Sequence, residues 1–99
     1  MIIVAGTVTI RPEYRQQAIQ SALQMALTTE VEDGCISYRF SADLQKPDTF
    51  CIFEVWETAE ALERHFQTDH MRVFQQQLPQ FLAGAPDIHR YEIGTVSRM

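Results

Sequence analysis

Trp56, His65 and His70 lie within a fifteen-residue run, with Glu54 just ahead of them. These residue types suit proton chemistry beside a flat ligand. Histidine gains and loses protons near neutral pH. An indole offers an aromatic wall and one N–H donor. Glu54 interrupts the otherwise apolar run F-C-I-F-E-V-W, and a carboxylate buried in such a strand must be paired or protonated. Arg39, on the preceding strand-like segment, faces it in one hairpin register, so a structural ion pair between Glu54 and Arg39 is expected. Each residue also has a plainer reading. Tryptophan at a strand end is often half-buried packing, and an inward histidine is usually a hydrogen-bonded core residue.

His65 and His70 are five residues apart and straddle a helix-to-helix junction. Helical metal pairs sit at i, i+4 with a third ligand. That spacing is not met, and no acidic or cysteine residue stands out to complete a ligand set, so no metal is expected. His65 lies beside Leu62 and Phe66, on what should be the inward side of its helix. His70 heads a stripe continued by Phe74, Leu78 and Phe81. Converging with Trp56, Tyr38, Phe40 and Phe74, the two histidines outline a pocket between sheet and helices, a few polar groups in an apolar wall. His89 lacks such a context and reads as surface or interface.

The elements that must position these residues follow from periodicity. Residues 2–10 are β-branched and end at Arg11-Pro12, which predicts a strand followed by a helix start. Ile19, Leu23 and Leu27 recur every four residues beside Ala18, Ala22 and Ala26, which predicts an amphipathic helix ending at Asp33-Gly34. Residues 35–44 alternate with period two, and residues 49–57 are apolar on both alternations. Thr58 and Thr68 are candidate N-caps for two short helices, the second limited by Pro79. Residues 88–96 complete the pattern as a strand. Strand, helix, strand, strand, helix pair, strand predicts an α+β ferredoxin-like fold, a four-stranded antiparallel sheet with helices on one face. The uncovered apolar face predicts a homodimer packed sheet to sheet.

The 99 residues make one domain. A net charge of −5 with eight scattered basic residues argues against nucleic acid. No apolar stretch nears the roughly 20 residues that span a bilayer, and a cytoplasmic location is expected. Cys35 and Cys51 should sit far apart in the hairpin as free thiols. No G-x-G-x-x-G, Walker loop or G-x-S-x-G is present.

The run F-E-V-W-E-T-A-E-A-L-E-R-H-F-Q-T-D-H from Phe53 to His70, with D-G-C-I-S-Y-R-F from Asp33 to Phe40, resembles the antibiotic biosynthesis monooxygenase domain. The similarity extends over nearly the whole chain. It implies a dimeric α+β barrel with a cavity in each subunit. It also implies oxygenation of small aromatic or quinol substrates without metal, flavin or other cofactor. His65 and His70 become candidate base and orienting residue, and Trp56 a wall against the ring. A non-catalytic small-molecule binding or stress-response barrel is the rival. A haem-degrading branch aligns Asn, Trp and His with Gly6, His65 and Gln75 here, and all three differ.

Overall fold

The computed structural model describes residues 1–99. Strand β1 (Ile2–Thr9) leads through a 3-10 turn (Pro12–Tyr14) into helix α1 (Arg15–Thr29). A hairpin of β2 (Cys35–Ala42) and β3 (Thr49–Trp56) follows. Helices α2 (Ala59–Phe66) and α3 (Asp69–Phe81) and strand β4 (Asp87–Glu92) complete the chain. The four strands form one antiparallel sheet in the order β2-β3-β1-β4, the expected α+β ferredoxin-like arrangement. No helix is long and apolar enough to cross a membrane.

Pairing register decides which side chains meet the helices. Glu54 lies opposite both Val4 and Tyr38, and Phe53 opposite Ala5 and Arg39. Neighbouring positions on a strand point to opposite faces. The row of Val4, Glu54 and Tyr38 therefore turns toward the helices, and the row of Ala5, Phe53 and Arg39 toward the open face. No residue of β1 or β3 on that open face is fully buried, and Phe53 and Tyr91 are exposed. Gly6 admits β4 at close range, since a Cβ there would lie 2.1 Å from the Asp87 carbonyl oxygen.

Helix α1 departs from expectation in two ways. Its buried face is Ala18, Ala22, Met25 and Thr29, whereas Leu23 and Leu27 remain 59% and 66% exposed. Small side chains let the helix approach β2, against which it packs, and the leucine stripe turns outward. The helix also stops at Thr29, and a turn through Glu32 and Asp33 fills the gap to β2. Gly34 closes that turn at φ +83°, a conformation glycine adopts without strain. Its missing Cβ would stand 2.5 Å from Ala61 Cβ, so the turn is pressed against α2. β4 stops at Glu92, short of the expected strand through 96.

Candidate active site

The hydroxyl of Thr58 caps α2 by accepting the Ala61 N–H at 3.1 Å. From there Ala61, Leu62 and His65 fall on the buried side of the helix, while Phe66 is exposed. His65 is 1% exposed. Its ring packs on Trp56 at 4.9 Å and Tyr38 at 5.6 Å between centroids. Thr68 caps α3 and donates its hydroxyl to the His65 carbonyl at 2.7 Å. That contact fixes the junction and sets His70 in the first turn of α3.

The third member of the group comes from the turn after α1. Glu32 Oε2 lies 2.8 Å from His65 Nδ1 and 2.6 Å from His70 Nε2. One carboxylate oxygen therefore accepts from both rings. Burial pulls the pKa of His65 below its ordinary value, more strongly than the Glu32 hydrogen bond raises it. A neutral His65 then carries its proton on Nδ1. His70, with Nε2–H on Glu32, keeps Nδ1 free to take a proton. The sequence reading missed Glu32 because it placed this segment at the end of a longer helix. The three residues also offer one metal-ligand atom each, all within 4.8 Å of one another.

The expected Glu54–Arg39 ion pair does not form. Arg39 lies on the open face opposite Phe53, whereas the buried Glu54 carboxylate accepts Trp56 Nε1–H at 2.9 Å. Burial lifts Glu54 to about 7, against the lowering effect of that hydrogen bond. Tyr38, packed beside it, is pushed upward by burial and by the Glu54 charge.

The main cavity, about 520 Å³, is a cleft between α1 and α3. His70 and Phe74 reach it, together with Met25, Val73 and Phe81. Its polar lining is largely amide: Gln17, Gln20 and Gln24 from α1, Gln77 and Gln80 from α3. Ser21 Oγ donates to Gln77 Oε1 at 2.8 Å and ties the two helices together. Trp56, Tyr38 and His65 are closed within the core and line no part of this cleft. Phe40 borders a smaller hollow of about 150 Å³ beneath α1 and packs on Phe74 at 6.0 Å. His89 pairs with Asp87 on the exposed edge strand. Cys35 and Cys51 are free thiols, and burial raises Cys35 to about 11.

The same architecture recurs in a Deinococcus radiodurans structure named "putative antibiotic biosynthesis monooxygenase". The two superpose with a TM-score of 0.92 at 28% identity, over 100% of this chain and 98% of the other. A Synechocystis protein of uncharacterised function is 35% identical over 92 residues, 93% of this chain. This chain spans 63% of the length of that protein. The Escherichia coli protein named "probable quinol monooxygenase YgiN" is 28% identical over 86 residues, covering 77% of this chain and 83% of its own length. The family model for antibiotic biosynthesis monooxygenase matches residues 1–77, from β1 into α3. The chain belongs to the antibiotic biosynthesis monooxygenase family.

Proposed function

We propose that this protein is a cofactor-independent monooxygenase of a small, neutral, electron-rich aromatic of the hydroquinone class. The observation that carries the reading is His70 at the wall of the cleft with the Glu32 carboxylate 2.6 Å behind its Nε2. A carboxylate in that position orients the ring and stabilises the imidazolium formed when Nδ1 accepts a proton. His65 touches no ligand in this scheme. It positions Glu32, and Trp56 and Tyr38 hold His65 in turn. Phe74 gives the aromatic wall that a planar ring would meet, with Phe40 packed behind it. Apart from His70 no titratable residue lines the cleft. This favours a neutral substrate over a carboxylate or phosphate, and the amides can bind its oxygens.

The chemistry balances without an external reductant. His70 takes a phenolic proton, and the electron-rich phenolate passes one electron to O₂. The resulting radicals combine at a ring carbon, and the hydroperoxide loses water. One oxygen atom enters the ring and the other leaves as water, the substrate having supplied all four electrons.

Oxygen uptake with a panel of hydroquinones and anthrones tests this reading. His70→Ala should lower turnover by roughly 10²–10⁴-fold while leaving circular dichroism intact. A folded wild type that binds these compounds yet consumes no oxygen would leave the non-catalytic binding reading in its place. The open sheet face, with Phe53 and Tyr91 exposed, supports a homodimer built through it. Sedimentation equilibrium showing only the 11.4 kDa monomer at micromolar concentration would remove that part of the proposal.

A further inference from the structure

We propose that Glu32, His65 and His70 form a binding site for a first-row divalent transition-metal ion, where the turn after α1 meets α2 and α3. Two imidazoles and one carboxylate suit zinc or its neighbours far better than magnesium or calcium, which take oxygen ligands. Both ring nitrogens point at a single place, now filled by Glu32 Oε2 at 2.8 and 2.6 Å. An ion bonded to both nitrogens at about 2.0–2.1 Å needs that oxygen to withdraw and bind from the side. The carboxylate is free to do so, because the two histidines are the only hydrogen-bond partners it has. It also sits on a turn instead of within a helix.

The nitrogens, by contrast, are fixed. His65 is clamped by Trp56 and Tyr38, and the Thr68 cap joins its carbonyl to the first turn of α3. Three protein ligands with the remaining positions unfilled is the pattern of an ion that can also take water or a ligand. His70, the most exposed of the three at 24%, also borders the cleft. A neutral imidazole that binds the ion through Nε2 carries its one proton on Nδ1, the atom that would otherwise take the substrate's proton. A bound ion therefore excludes proton abstraction by His70, and zinc acts as an inhibitor of the metal-free reaction. The site itself stands on its donor geometry and does not depend on the oxygenase reading.

The test is zinc titration of chelator-treated, dialysed protein by calorimetry, with cobalt(II) absorption as a second readout. Binding should saturate at one ion per chain with a Kd on the order of micromolar. Intense visible cobalt bands should report nitrogen ligation at low coordination number. His65 is buried, and its loss could unfold the domain, so the partly exposed ligands carry the test. His70→Ala and Glu32→Gln should each weaken zinc by more than about 100-fold, beyond what second-layer changes produce. His89→Ala should leave the affinity unchanged. Absence of saturable binding, or binding that survives both ligand variants, overturns the proposal. Zinc binding with no oxygen uptake by the metal-free protein would sink the oxygenase reading alone, and uptake without zinc binding would sink this one alone.

Discussion

The domain has two buried clusters, and they are built differently. One gathers Val8, Ile10, Ala18, Phe50 and Phe81, all apolar. The other gathers Ile2, Met25, Tyr38, Trp56, Ala61 and Leu62. Around its Trp56 lie a buried carboxylate and a buried imidazole, Glu54 and His65. Packing alone can hold a sheet and two helices together, as the first cluster demonstrates. Burying titratable groups costs free energy unless each finds a partner. Beside the second cluster Glu54 and His65 both do: Trp56 serves Glu54, and Glu32 serves His65. The polar groups are thus concentrated at the end where α2 and α3 meet, beside the cleft. Stability and chemistry are divided between the two ends.

The largest expected effect tests that division directly. Phe50→Ala empties part of the apolar cluster and should cost about 3–5 kcal/mol in urea denaturation. Turnover per folded molecule should stay at the wild-type level. Trp56→Phe should cost less, about 1–3 kcal/mol, chiefly because it leaves Glu54 without its donor. It should nevertheless lower turnover, because a smaller ring supports less of the His65 imidazole. Phe50→Ala lowering turnover per folded molecule as much as Trp56→Phe does would show that the two ends act as one unit.

The two clusters were unequally legible in the sequence. The succession of elements, both threonine caps and the inward turn of His65 followed from period and residue type, which act locally. Glu32 could not be found that way. Its place depends on where α1 stops and on Gly34 folding the turn against Ala61, a contact between segments 27 residues apart. The Arg39–Glu54 pairing failed through register, since a shift of one residue moves a side chain to the other face. The amide lining of the cleft was not legible because nothing local in α1 reveals α3 lying alongside. The aromatic pocket was drawn too deep for a similar reason. Trp56 and Tyr38 are consumed by the core before any ligand could reach them.

A middle-sized effect concerns the buried carboxylate. Glu54 goes from 4.5 to about 7 on folding, chiefly through burial. A folded-state pKa raised above the unfolded one favours the native state when protonated. Its contribution is fully present below about pH 4.5 and is lost as pH rises through about 7. His65 works in the opposite sense. Burial depresses its pKa, so stability falls as pH drops below the unfolded value of 6.5. Glu54→Gln keeps an acceptor for Trp56 and removes only the first slope. Relative to this variant, the wild type should lose on the order of 1–3 kcal/mol between pH 5 and pH 8. Urea melts at four pH values would show it. Parallel profiles for the two proteins would mean that Glu54 is charged at no cost and that the second cluster is less dry than its packing implies.

The smallest expected effect decides which face of α1 belongs to the core. The leucine spacing predicts one face and the structure buries another, Ala18, Ala22 and Met25. Leu27→Gln places a polar side chain where the residue is already 66% exposed, and should change stability by no more than about 0.5 kcal/mol. Ala22→Leu, on the buried face, forces a larger side chain between helix and sheet and should cost about 1–3 kcal/mol. The contrast within one helix matters more than either value, because helix propensity is nearly equal for leucine, glutamine and alanine. A costly Leu27→Gln beside a neutral Ala22→Leu would mean that α1 is rotated about its axis. Gln17, Gln20 and Gln24 would then leave the wall of the cleft, and the amide lining that favours a neutral substrate would go with them.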